Sequence, residues 1–174
     1  MSKTQLATVW LDGCSGCHMS FLDMDERILE LIQHADIVYS PLVDAKEFPE
    51  MVDIVIVEGA VSTNEDMEKI RKVRAHSRYL IALGDCAVTG NVPAMRNPFG
   101  VEATFQRAYF ENAQTAPQKP TRGLPVLLEK VIPVHDVVVV DLHVPGCPPP
   151  ADVIYGMLMD LIQGRTIESV AHTR

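Results

Sequence analysis

Cysteine, tryptophan and positive charge are all scarce in this chain: it has four cysteines, one tryptophan, and 15 Lys and Arg against 23 Asp and Glu. The resulting net charge of −8 excludes an electrostatic grip on nucleic-acid phosphates or on anionic lipid. No run approaches the length of about 18 apolar residues that a membrane span requires. The opening Met1-Ser2-Lys3-Thr4-Gln5 has neither the apolar core of an export signal nor a twin-arginine pair. A cytoplasmic protein with no nucleic-acid and no membrane partner is therefore expected. Neither a P-loop nor a Gly-x-Gly-x-x-Gly fingerprint is present, so no nucleotide site is expected, and no residue demands a flavin. Internal repeats, low-complexity tracts and interdomain linkers are also missing.

What is present reads as one globular domain over residues 1–174. Apolar residues at 47% and charged residues at 22% give an ordinary globular balance. A chain of this length buries roughly 70% of the surface its unfolded form exposes, so it needs no disulfides to fold. Strands are expected at Leu6 to Leu11, Asp36 to Pro41, Met51 to Glu58, Arg78 to Leu83 and Val137 to Leu142. One helix is expected from near His18 to Ala35, on the spacing of Phe21, Met24, Ile28, Leu31 and Ile32. A second starts from a capping box at Ser62-Thr63-Asn64-Glu65, with Met67, Ile70 and Val73 on one face. A last helix carries Val153, Ile154, Met157, Leu158, Leu161 and Ile162 and stops at Gly164. Between Val88 and about Val126, five prolines break the pattern, leaving one short helix near Thr104 to Asn112 and a surface segment. Alternating apolar strands and helices predict an α/β fold, a doubly wound parallel sheet of order 2-1-3-4-5, with ligands beyond the carboxyl ends of its strands.

All four cysteines follow expected strands. Cys14 and Cys17 lie in Asp12-Gly13-Cys14-Ser15-Gly16-Cys17, Cys86 in Gly84-Asp85-Cys86-Ala87 and Cys147 in Pro145-Gly146-Cys147-Pro148. In a reducing compartment such thiols hold metal rather than form disulfides. Four thiolates suit a tetrahedral zinc or an iron-sulfur cluster. Structural zinc sites usually come as two close pairs, whereas here one pair is followed by two single cysteines from separate loops. A four-thiolate cubane, larger than one ion, suits ligands that converge from three loops, and Gly13, Gly16, Gly84 and Gly146 let backbone N–H groups approach the sulfurs. Unliganded buried thiols and an interaction module with structural zinc stay open as alternatives at this level.

Taken in order, those three motifs together with Val57-Glu58-Gly59-Ala60 resemble the small subunits of nickel-iron hydrogenases, from about Thr8 to Ile162. The resemblance implies a flavodoxin-like domain in which Cys14, Cys17, Cys86 and Cys147 ligate one [4Fe-4S] cluster beside a large subunit carrying the Ni-Fe centre. The short form without further cysteines is most similar to the soluble NAD-reducing (bidirectional) type. That likeness implies diaphorase partner subunits with iron-sulfur clusters, FMN and NAD, and electron relay from H2 oxidation without hydrogenase activity in this chain alone. Many relatives place a glutamate two residues after the second cysteine; Met19 stands there, so no proton-transfer role carries over to that position. The cluster-binding small subunit of NADH:quinone oxidoreductase shares the fold and the later cysteines and stays as the alternative within electron transfer, although it usually has adjacent cysteines in the first motif.

Other residues carry weaker expectations. Glu58 ends a strand and can accept N–H bonds from the first cysteine loop, bracing it, moving protons or meeting a partner. His18 can donate to a sulfur, touch the large subunit or simply fill a first helical turn, and His143, near Cys147, has the same options. Asp85 would set negative charge beside the site and lower its potential. Met51, Met67, Met157 and Met159 read as core.

Overall fold

The computed structural model describes residues 3–165; Met1 and Ser2 of the N-terminal reading and residues 166–174 of the expected domain lie outside the described residues. In chain order the elements are β1 (Thr4–Trp10), α1 (Gly16–Leu22), α2 (Arg27–His34), β2 (Ala35–Tyr39), β3 (Val52–Glu58), β4 (Val61–Thr63), α3 (Asn64–Ala75) and β5 (Ser77–Leu83). There follow α4 (Gly84–Thr89), α5 (Asn91–Ala94), α6 (Val101–Gln106), β6 (Leu127–Ile132), β7 (Leu142–Val144) and α7 (Ala151–Ile162). Five parallel strands form the main sheet in the order β2-β1-β3-β5-β7, which is the expected doubly wound arrangement. This is the flavodoxin-like α/β fold.

Alternation along the central strands divides the core. Leu6, Ile54, Ile56, Ile81 and Leu83 pack on one face with Phe21 of α1, Met24 of the turn after it, Leu31 of α2, and Ile154 and Leu158 of α7. Ala7, Val9, Val55, Val57, Leu80 and Ala82 pack on the other with Ile70 and Val73 of α3. Strands buried on both faces read as continuous apolar runs, which is why β3 was legible as Val52–Glu58. Among the described residues no helix is long and apolar enough to cross a membrane.

Several expectations need correction. The helix expected from His18 to Ala35 is two helices, because Asp25 takes a left-handed backbone at φ 51 and breaks the run. Asp23, Asp25 and Glu26 thereby precede α2, where the dipole of that second helix favours them. The capping box sits one residue later than expected: Ser62 is buried in β4, and Thr63 caps α3 with Asp66 as its reciprocal partner. The fifth sheet strand is Leu142–Val144, not Val137 to Leu142. Asp141 draws the Leu80 N–H onto its own carboxylate at 2.7 Å and pairs with Arg74, so parallel pairing with β5 starts only after it. The short helix starts earlier, at Val101, and continues as a π turn over Arg107–Glu111. Met51 is 57% exposed, outside the core. Unforeseen in the sequence, β4 and β6 form a two-stranded antiparallel sheet.

Candidate metal centre

Each cysteine reaches the same end of the sheet by a different route. Cys14 follows β1 in a loop that Ser15, at φ 65, turns into α1, and Cys17 lies in the first turn of that helix. Cys86 occupies the first turn of α4, immediately after β5, and Cys147 follows β7. All four line one cavity of ≈ 90 Å³, together with Gly16, Glu58, Asp85, Gly146 and Pro148. They share the cavity without closing on one point: among the described residues, no three His, Cys, Asp or Glu side chains are grouped to grip a single ion. Cys17 is buried, Cys86 half-buried, and Cys14 and Cys147 are exposed.

Backbone packing shapes the cavity. A Cβ on Gly84, at φ +82, would lie 2.2 Å from Cys17 Sγ, so any side chain there would fill the space the sulfur occupies. Asp85 ties the Cys86 segment to the Cys147 loop: its N–H donates to the Gly146 carbonyl at 2.9 Å, and its Oδ1 accepts from the Gly146 N–H at 2.7 Å. The carboxylate expected to act on potential is thus engaged as a brace. N–H groups donate to the sulfurs, among them Gly16 N to Cys14 Sγ at 3.4 Å and Asn91 Nδ2 to Cys147 Sγ at 3.5 Å.

Burial pushes the Cys17 thiol up to about 12, helped by the negative charge of Glu58 and then by the other three cysteines. Burial also raises Cys86, against a lowering hydrogen bond from the backbone at Val92. Four soft donors around a shared cavity, two of them unfavourable as bare thiolates, fit a cationic metal group whose charge offsets their own.

Glu58, 2% exposed, accepts the His18 backbone N–H at 2.7 Å, as expected of a brace for the first cysteine loop. Its carboxylate also bonds His18 Nδ1. The ring is turned inward, with Nε2 3.0 Å from Thr8 Oγ1, which donates to Ser40 Oγ at 2.7 Å. Met19, by contrast, is 57% exposed. His143 is exposed and does not line the cavity; it meets the His135 ring edge-on at 5.5 Å. Sequence reasoning missed Thr8, Ser40 and Asn91. Thr8 interrupts an otherwise apolar strand, and Asn91 follows a glycine, two signals that were available.

The model of the NADH ubiquinone oxidoreductase 20 kDa subunit family matches residues 14–161. The delta subunit of the NAD-reducing hydrogenase HoxS of Cupriavidus necator is 42% identical over 95% of this chain and 82% of its own length. One subunit of the F420-non-reducing hydrogenase of Methanothermobacter marburgensis is 38% identical over 95% of this chain, which spans 56% of that longer protein. Among solved structures, an NAD+-reducing [NiFe]-hydrogenase in the H2-reduced state superposes with a TM-score of 0.90 at 41% identity, covering 95% of this chain and 94% of the matched one. The chain therefore belongs to the NADH ubiquinone oxidoreductase 20 kDa subunit family and, within it, stands with the small subunits of NAD-reducing [NiFe] hydrogenases.

Proposed function

We propose that this chain is the electron-transfer small subunit of a cytoplasmic NAD-reducing [NiFe] hydrogenase, with Cys14, Cys17, Cys86 and Cys147 holding one [4Fe-4S] cluster. The observation that carries the reading is the convergence of these four thiols on one cavity at the carboxyl end of the sheet. When bound, the cluster supplies one-electron exchange between a large subunit with the Ni-Fe centre and a diaphorase module with iron-sulfur clusters, FMN and NAD.

The chain's own residues prepare the site. Cys17, 8% exposed, anchors the inner wall, while the exposed Cys14 and Cys147 mark the side open to partners. Gly84 leaves the space a side chain would fill, Asp85 locks two of the ligand loops together, and Glu58 fixes the first turn of α1 through the His18 N–H. Met19 offers no proton to the site, so no proton-transfer role falls to that position.

Cys86→Ser is the direct test. Expressed with its partners, the variant is expected to lose most of its cluster iron and sulfide and its H2-dependent NAD+ reduction, while the complex still assembles. A brown wild-type chain that bleaches on reduction supports the reading. A colourless chain containing zinc, or a Cys86→Ser complex with normal iron, sulfide and turnover, overturns it.

A further inference from the structure

We propose that Asn91 is a positioning residue for the metal group, acting through Cys147: its carboxamide N–H holds the Cys147 sulfur and raises the reduction potential of whatever cluster that sulfur ligates. The inference rests on the cluster reading above. Three observations place Asn91 in this role.

The first is the contact itself. Asn91 Nδ2 lies 3.5 Å from Cys147 Sγ, and among the described residues it is the side-chain N–H donated to a cysteine sulfur; the N–H groups from Gly16 on Cys14 and from Val92 on Cys86 are backbone. The second is the backbone. Asn91 sits at φ 29, a left-handed conformation, directly after Gly90 at φ 86. A non-glycine residue held at positive φ is strained and persists where the surroundings over-determine it. Glycine would relieve the strain but has no amide to offer. The third is the anchoring. The Gly90 N–H donates to the Cys86 carbonyl at 3.0 Å, so the residue that reaches Cys147 hangs from the helix that carries Cys86. One short segment thereby joins the third and fourth ligand positions, independently of the Asp85–Gly146 clamp.

The sign follows from charge. Reduction adds an electron to the cluster and increases the negative charge shared by its ligand sulfurs, and a hydrogen bond to a more negative acceptor is stronger. An N–H···S bond thus favours the reduced state and lifts the potential. Removing it lowers the potential; replacing the amide with a carboxylate of the same shape lowers it further.

The test is a redox titration, followed by electron paramagnetic resonance, of the whole complex carrying Asn91→Gly or Asn91→Asp. Asn91→Gly is the discriminating variant, since it accepts the backbone geometry and loses only the amide. It is expected to keep wild-type iron and sulfide while the reduced-to-oxidised ratio at a fixed potential falls by up to about tenfold, equivalent to about 59 mV for a one-electron couple. Asn91→Asp is expected to shift in the same direction by more. Midpoints that stay at the wild-type value in both loaded variants overturn this inference and leave the cluster reading intact. A wild-type chain without iron overturns that reading and this inference with it.

Discussion

At the cysteine end of the sheet, a methyl group added to Gly84 would come 2.2 Å from Cys17 Sγ, and one added to Gly59 would come 2.8 Å from the Asp12 carbonyl oxygen. In the crossover from Asn91 to Val126, one added to Gly100 or Gly123 would meet nothing within 4 Å. The same contrast holds for burial. Glu58, Cys17, His18 and Thr8 are all buried at the first end, whereas no residue from 91 to 126 is. The enclosed space differs as well: ≈ 90 Å³ among four thiols, against an apolar groove of ≈ 640 Å³ bordered by Met95, Phe99 and Ala103. One region is determined by what it leaves no room for. The other lies over the fold as an outer layer, and its large side chains, such as Met95 and Phe99, are more than two-thirds exposed.

The contrast breaks if substitution proves equally harmful in both regions. Gly84→Ala is expected to have the largest effect, destabilising by about 3 kcal/mol or more through overpacking and positive-φ strain, with loss of bound iron. Gly123→Ala, with φ +69 but open space around it, is expected to cost only about 1 kcal/mol and leave iron content unchanged. Chemical denaturation and iron analysis of the two variants side by side check this; equal losses would erase the distinction. Glu58→Ala ranks next. It leaves two buried donors of His18 without their acceptor, at a cost of about 2–3 kcal/mol in a urea titration.

The smallest effect lies outside both regions, on the last strand. His143 of β7 faces His135 in the connection between β6 and β7. Partial desolvation of its ring, and then the charge of His135, hold the His143 pKa below its usual value. An unfolded histidine, at about 6.5, takes up its proton first as pH falls, so the stability that neutral His143 contributes is full above that value. It drains away as pH drops from there toward the lower folded pKa. His135→Gln is expected to move the His143 titration upward, and proton NMR of the two rings measures the change.

How far the sequence spoke depended on whether a single residue could decide the outcome from outside its own segment. The continuous apolar run at Val52–Glu58 and the glycine-flanked cysteines carried their meaning locally, and both the sheet order and the shared cavity follow from them. The stretch Val137 to Val140 looked equally strand-like, but Asp141 reaches the Leu80 N–H and Arg74, and that long-range contact moves the start of the strand to Leu142. The first helix showed an unbroken apolar period, yet one left-handed residue, Asp25, divides it. The inward turn of His18 depended on Thr8 and Ser40, polar positions that become a connected chain only once β1 and β2 lie side by side.

Two asparagines set the latitude of the outer layer. Asn64 exchanges bonds with Val126, its N–H donating to the valine carbonyl at 3.0 Å and its Oδ1 accepting from the valine N–H at 2.7 Å. Asn97 embraces Val131 in the same two-pronged way, at 2.9 and 2.8 Å. The chain between these brackets is a loop with pinned feet, and doubling the length of such a loop adds only about 0.6 kcal/mol of closure entropy. Residues 98–125 can therefore lengthen, shorten or change composition at little cost to the sheet that carries the thiols.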